Sequence, residues 1–517
     1  MSTYDEVPYD CHPIPGTAPE QLAVAAMFHA GPSPPAANVR YLEIGCGDGA
    51  NLIPLAYHRP DCAFTGVDSS DVQIANASDS VSQLALENVT FRGTDIRTAD
   101  DLPSFDYIVA HGVMSWVSTD VRDAIFRMCR EHLTAHGVMY ASFNTYPGWK
   151  VRGLVRDFLL RQTASASSLV SRAAAARDAA EHLGSKIHVL DHPYAQLLAK
   201  ELHRVTESTD SYLIHEYLEG HNQPFWLSEF VNVAKGHGLR YVADAGYNQH
   251  DYRVPGPLQE IALELESERL HVDELVDLIW YRQHRLALFC RDDAETTTMP
   301  RTIPARATLA CGLQPYSGHG LLGPDVSETY HGYFESDYRT ELTDPLGKAA
   351  LAVLYDRWPH GAPLETLFAD ASARLTQAGL PTPPREDRHR LEALLVDLHE
   401  GGQVDFRLRD SPAPVDASDR PVAGALTRWE AERRRGVTTA QHHRIGLSIT
   451  ERLLISCLDG TRDRNTIAHS VSERVRSGEV RGQAGEIVIG NAAQPGRIAQ
   501  ILDHLLAVLG AWGLLDR

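Results

Sequence analysis

The sequence predicts an α/β fold: an open, mostly parallel sheet covered by helices, followed by two mainly helical units. Three observations predict it. Short runs of β-branched, aromatic and apolar residues alternate with helical stretches over 38–144. The first run leads straight into a glycine-rich loop, "YLEIGCGDGA". Beyond residue 300 the pattern changes to groups of helices, each closed by a short ribbon. Alternating strand and helix implies a parallel sheet with helices on both faces.

The strand candidates are "VRYLEIG" (39–45), "AFTGVD" (63–68), "VTFRGTD" (89–95), "FDYIVAH" (105–111) and "VMYASFN" (138–144). Each is short and rich in residues that fit a pleated, buried surface. The clearest helix lies in "STDVRDAIFRMCREHLTAHG": Ser118 or Thr119 caps it, Val121, Ile125, Met128 and Leu133 form its apolar stripe, and Gly137 ends it. Residues 150–215 are rich in Ala, Leu, Arg and Ser and predict a helical insertion. "WLSEFVNVAKGHGLRYVADA" predicts helix, glycine turn and strand; a second helical insert covers 255–280, and "HRLALFC" (284–290) is a last strand. The first domain is therefore expected over 1–295, with the insertion at about 150–215 and a further segment at about 215–295. "DPLGKAALAVLYDRW", "LETLFADASARL" and "REDRHRLEALLVDLHEGGQVDFRL" predict three helices and a ribbon, a winged-helix-like middle domain over 300–410. "SPAPVDASDRPVAG" reads as a linker. "ITERLLISCLDGTRDRNTIAHSV" and "IAQILDHLLAVLGAWGLLDR" predict a second winged-helix-like domain over 411–517.

Composition bounds the function. The chain has 517 residues, 43% hydrophobic and 22% charged, so several globular domains are expected. No run of about 18 apolar residues occurs, which argues against a membrane partner. The start, "MSTYDEVPYD", has no apolar core of a leader peptide. Seven cysteines stand singly, which suits a reducing cytoplasm. The formal charge of −20 argues against nucleic acid, which is gripped by Lys and Arg.

Gly45, Gly47 and Gly49 follow a strand and precede a helix, a place where backbone N–H groups meet a ligand. Gly45-x-Gly47-x-x-Ala50 also passes as a dinucleotide fingerprint. Three features point elsewhere. Glu43 precedes the loop and suits a ligand ammonium better than a pyrophosphate. The spacing is Gly-x-Gly-x-Gly. Polar groups also end the later strands: Asp68, Asp95, His111-Gly112 and Asn144. Ligands of open α/β sheets bind outside the carboxyl ends of the strands, so these groups describe one crevice. Singly, each has a structural explanation: Asp68 as a helix cap, Asp95 as a turn residue.

Glu43-x-Gly45-x-Gly47-x-Gly49, Asp68, Asp95-Ile96 and His111-Gly112, in that order, resemble the class I S-adenosylmethionine-dependent methyltransferases. The resemblance implies a Rossmann-like seven-stranded sheet and S-adenosyl-L-methionine as cofactor. It implies Glu43, Gly45 and Gly47 around the methionine end, Asp68 on the ribose hydroxyls, Asp95 and Ile96 on adenine, and His111 closing over the methionine moiety. Tyr4 and Tyr9 lie on a Pro-containing segment before the first strand. That segment is a lid, with Tyr9 its cofactor contact, or an ordered tail.

Other stretches narrow the family. "YDEVPYDCHPIPGTAPEQLA", "HGVMSWV" (111–117), "NTYPGW" (144–149), "HEYLEGHNQPFWLSEFVNVAKGHGLRYVADA" (215–245), "RPVAG" (420–424) and "LDGTRDR" (458–464) resemble bacterial protein-lysine methyltransferases that carry a methyltransferase regulatory domain. Segment 215–295 then corresponds to the regulatory segment. The departure is "WYRQHRLALF", where the family shows an Arg-Phe-Arg-type run. It leaves a small-molecule acceptor in a biosynthetic pathway as the alternative to a protein or peptide. A cofactor-binding regulatory protein without turnover is a third reading, opposed by the full set of strand-end groups.

Methyl transfer to a lysine amine requires a neutral amine in line with the methyl–sulfur bond, an alignment problem above all. Lysine's reference pKa of about 10.4 must be overcome, and desolvation helps. The candidate catalytic residues are His111, Asn144 and Tyr146. Trp116, Tyr146 and Trp149 are candidates for the acceptor pocket, where π faces hold a cation. "NTYPGW" also reads as a turn with an aromatic plug, and Trp116 as core. No metal is expected: His215-Glu216 with His221 lacks the spacing of a ligand set. His442-His443 reads as solvated surface. The C-terminal units are expected to recruit substrate or to form a homodimer.

Overall fold

Seven strands form one mixed sheet: β1 (Arg40–Ile44), β2 (Ala63–Asp68), β3 (Val89–Gly93), β4 (Phe105–Ala110), β5 (Leu133–Asn144), β6 (Leu239–Asp244) and β7 (His284–Arg291). Their order is β3-β2-β1-β4-β5-β7-β6. β1 to β5 run parallel, and β7 is inserted antiparallel to both β5 and β6. The computed structural model describes residues 3–9, 11–99, 101–187, 189–245, 254–265, 269–296, 301–318, 321–332, 339–477 and 494–516. Chain order reverses between β1 and β4, the place where such sheets open a crevice.

Alternate side chains of each strand enter opposite cores. Tyr41, Phe64, Val109 and Leu288 pack with α2 (Pro19–Phe28) and α3 (Leu52–His58) on one face. Leu42, Ile108, Phe143 and Phe289 pack on the other with α5 (Thr119–His132) and α10 (Leu227–Gly236). Both faces are covered, which explains why the strands read as continuous apolar runs. The same stretch of chain also forms α1 (Thr3–Glu6), α4 (Asp71–Leu84), α6 (Trp149–Gln162), α7 (Leu169–Ile187), α8 (Pro193–Glu207), α9 (Asp210–Tyr212), α11 (Gln259–Glu264) and α12 (Arg269–Ile279). One boundary differs from the sequence expectation. α5 ends at His132 rather than Gly137, because Leu133 pairs with Phe105 and starts β5.

The insertion α6–α9 continues into a π-helical turn, Leu213–Tyr217. It has its own core, which includes Leu159, Leu202, Leu213 and Tyr217. Further along, α13 (Pro345–Arg357), α14 (Leu364–Gln377) and α15 (Asp387–Glu400) pack with a ribbon of β8 (Thr308–Ala310) and β12 (Asp405–Arg407). A small sheet of β9 (Gln314–Pro315), β10 (Glu328–His331) and β11 (Arg339–Leu342) lies in the same stretch. Val24 and Phe28 of α2 belong to that helical core.

The last unit is a winged helix. It contains α16 (Ala425–Arg433), the hairpin β13 (Gly436–Thr438)–β14 (Arg444–Gly446), α17 (Ile449–Ser456), α18 (Arg464–Arg476) and α19 (Pro495–Ala511). Leu454, Ile467, Leu502 and Trp512 lie in its core. It docks on the sheet domain. Trp429 Nε1 donates to Gln83 Oε1 at 2.9 Å, and Arg59 Nη2 donates to the Ala440 carbonyl at 3.1 Å. This docking corrects the expectation for His442. Its side chain is 0% exposed, because the hairpin tip is pressed against α3 instead of facing solvent. No helix among the described residues is long and apolar enough to cross a membrane.

Candidate active site

A cavity of about 340 Å³ opens at the carboxyl ends of β1, β2, β4 and β5. Glu43, Gly45, Gly47, Asp68, His111, Gly112 and Asn144 line it, so four separate strand ends converge. Gly45 and Gly47 have φ of +72° and +54°, and a Cβ there would meet Val113 Cγ2 at 2.5 Å and Cys11 Sγ at 2.6 Å. Both positions therefore need glycine. Asp68 does not cap α4. Ser70 does, accepting from the Gln73 N–H at 3.3 Å. The Asp68 carboxylate is instead aimed by the N–H groups of Gly47 and Ser70, each at 2.9 Å.

Glu43 is buried. Asn51 Nδ2 donates to its Oε1 at 3.1 Å, while its Oε2 has no hydrogen-bond partner. Burial pushes its carboxyl up to about 8, with Asp68 and Asp48 adding repulsion. His111 is held by Tyr140 Oη, 2.9 Å from its Nδ1. Burial, then the neighbouring His284 and His12, lower it to about 3, so it is neutral at ordinary pH.

The N-terminal segment forms one wall through Tyr4, Tyr9, Cys11, His12 and Ile14. Tyr4 stacks on His215 at 4.1 Å, His215 Nε2 lies 2.7 Å from the Val7 carbonyl, and Ser211 Oγ donates to the Pro8 carbonyl at 2.9 Å. Opposite elements add Trp116, Trp149, Arg152, Tyr212, Glu216, Gln283 and His284. Trp116 and Trp149 meet edge to face at 6.1 Å, and the Arg152 guanidinium lies 4.9 Å from the Trp149 ring. Burial raises Glu216 to about 7, against the pull of Arg152.

Three expected site residues lie outside this wall. Tyr146 packs against Trp226 at 5.8 Å with Lys150 Nζ over its ring at 4.0 Å. The Asp95 carboxylate is taken by Arg97, through the backbone N–H at 2.9 Å and Nη2 at 2.6 Å, so the turn explanation describes its contacts. Ile96 packs onto the core. Conversely, Asn51, Arg152, Glu216, Gln283 and His284 were not foreseen as cavity residues. Arg152 was within reach, three positions after Trp149 on one helix face. His284 pairs with Asn144 across β7 and β5, which local sequence does not reveal.

Comparison with known proteins agrees with this geometry. Residues 42–139 match a methyltransferase domain, 209–291 a predicted methyltransferase regulatory domain, and 419–514 the PKMT C-terminal winged helix domain. Uncharacterized protein RP789 of Rickettsia prowazekii (strain Madrid E) is 29% identical over 493 residues, 92% of this chain and 87% of that protein. Uncharacterized protein RP028 of the same organism is 32% identical over 235 residues, 45% of this chain and 94% of that protein. The structure of PKMT2 from Rickettsia typhi superposes with a TM-score of 0.82, covering 98% of this chain and all of that one, at 24% identity. Its complex with AdoHcy gives the same TM-score at 23% identity. The chain belongs to the class I S-adenosylmethionine-dependent methyltransferases. Its matched regions join the methyltransferase sheet to a methyltransferase regulatory domain and a PKMT-type C-terminal winged helix.

The residues present fit the cofactor of this class. The unpartnered Glu43 Oε2 suits an ammonium, Asp68 retains acceptor capacity for two hydroxyls, and the Gly45–Gly47 turn brings bare backbone to the cavity wall.

Proposed function

We propose that this chain methylates an amine, most specifically a lysine side chain of a protein or peptide. One observation carries the reading: a single cavity joins the sheet-rim carboxylates to the Trp116–Trp149 pair and to the half-buried Glu216 of the helical insertion. The likeness in fold to PKMT2 supports it. S-adenosylmethionine, when bound, supplies an electrophilic sulfonium methyl.

Glu43 and Asp68 hold the donor's ammonium and ribose, and the glycine turn admits it against the backbone. Trp116 and Trp149 present π surface to an incoming alkylammonium. Asn144, whose buried Nδ2 has no partner, orients the acceptor. His111 is too weak a base to take the ammonium proton and instead fixes the cavity wall beside Tyr140. Glu216 is better matched to that proton at neutral pH. Incubation with methyl-labelled S-adenosylmethionine and a whole-cell extract tests the proposal. Label on protein lysines is expected; label confined to small molecules would replace this reading with the alternative acceptor.

A further inference from the structure

We infer that the β13–β14 hairpin of the winged helix braces the donor-binding site from behind, with His442 a positioning residue for Glu43. The inference rests on the reading of Glu43 as the group that receives the donor's ammonium.

His442 stands between the hairpin strands at φ +65°, with no exposed surface. Its Nε2 lies 2.7 Å from Asn51 Oδ1. The orientation of that amide is fixed, because Oδ1 also accepts the Ile14 backbone N–H at 2.9 Å. An amide oxygen only accepts, so His442 Nε2 carries the proton and donates. Nδ1 is then a bare acceptor, and it is buried without a hydrogen-bond partner. Burial holds the ring well below its ordinary value, so it stays neutral and keeps this tautomer. On its other side the Asn51 amide donates to Glu43 Oε1 at 3.1 Å and to Thr17 Oγ1 at 3.0 Å. A directed line therefore runs from the winged helix through Asn51 to the carboxylate whose other oxygen is left over at the cavity.

A second contact runs in parallel. Arg434 Nη2 lies 3.4 Å from Asp48 in the glycine loop, and its Nη1 lies 3.5 Å from the carbonyl of Cys11, the residue that stands over Gly47. The His442 line ends on Glu43, at the methionine end of the site, and the Arg434 contacts brace the glycine loop beside it, so both tie the site to a unit that follows the sheet domain in sequence.

Calorimetry on the full chain tests this with two probes. S-adenosylhomocysteine carries the amino-acid end; 5′-methylthioadenosine is the same nucleoside without it. His442→Ala is expected to weaken S-adenosylhomocysteine about fivefold, the value of one net hydrogen bond, and to leave 5′-methylthioadenosine unchanged. His442→Gln, which keeps an N–H donor, is expected to restore much of the loss. In a Glu43→Gln background, His442→Ala should add nothing. If Glu43→Gln leaves S-adenosylhomocysteine affinity intact, the reading of Glu43 falls and this inference with it. If Glu43→Gln weakens binding but His442→Ala does not, or weakens both probes equally, only the inference falls. Should His442→Ala not fold, the parent protein decides: S-adenosylhomocysteine, but not 5′-methylthioadenosine, should slow amide exchange over 436–446. Equal effects of the two probes would overturn the inference.

Discussion

At the scale of the residue, Glu43 makes the protein's pH response readable. An exposed glutamate loses its proton near 4.5, whereas burial lets folded Glu43 keep it to about 8. Between those values the folded state binds more protons, so its stability falls as pH rises. Glu43→Gln removes that slope, and its melting temperature relative to the parent is expected to climb from about pH 5 to about pH 8. A flat difference would show that Glu43 is ionised in the fold. Asp68→Ala removes an acceptor aimed by two backbone N–H groups; calorimetry should show cofactor affinity reduced by about 2 kcal/mol or more. Glu216→Gln is expected to lower kcat at neutral pH and to leave cofactor affinity near the parent value. An unchanged pH–rate profile would remove Glu216 from the proton's route. Glu43, Asp68 and His111 were legible in the sequence because each ends a strand, and strand ends of such a sheet share one rim. Asn51 and His442 were not, because a side chain that serves by holding another leaves no local pattern. A pair of histidines reads as polar surface until a second domain covers it.

At the scale of the element, the start of α6 and the start of β7 fit together without slack. A Cβ on Gly148 would come within 2.1 Å of the Arg282 carbonyl oxygen, although the φ of Gly148, −58°, is open to any residue. The cost of Gly148→Ala is therefore steric. It is expected to destabilise by about 1–3 kcal/mol in denaturant unfolding and to disturb Trp149 and His284 together. The "NTYPGW" turn was legible as a turn, but not the direction in which its rings point. Trp149 faces the cavity on the first turn of α6, while Tyr146 is held outside by Trp226 and Lys150. Strand existence was plain from apolar runs. The onset of β5 was not, because "LTAHG" carries no apolar run and joins the sheet only by pairing beside β4.

At the scale of the whole molecule, Arg59 is the junction. It is 1% exposed, paired with the buried Glu20 of α2, and bonded to Ala440 of the hairpin tip. Arg59→Ala leaves Glu20 buried without its cation, and a loss of about 3–5 kcal/mol is expected. Proteolysis should then release the C-terminal unit before the sheet; simultaneous cleavage would deny Arg59 this role. The existence of the winged helix was legible from its helices and closing ribbon, but its docking was not, since no residue pattern names a partner surface in the same chain. Asn144 and His284 are side-by-side partners at one rim, yet 140 positions separate them along the chain. Within that stretch the insertion leaves the rim after Asn144 and returns at Phe225, whose N–H donates to the Asn144 carbonyl at 3.0 Å, so it hangs from one closed point, as a single detour. Such a detour can be lengthened, shortened or rebuilt for a different recipient of the methyl group while the ladder of the sheet, and the grip on the donor, stay in register.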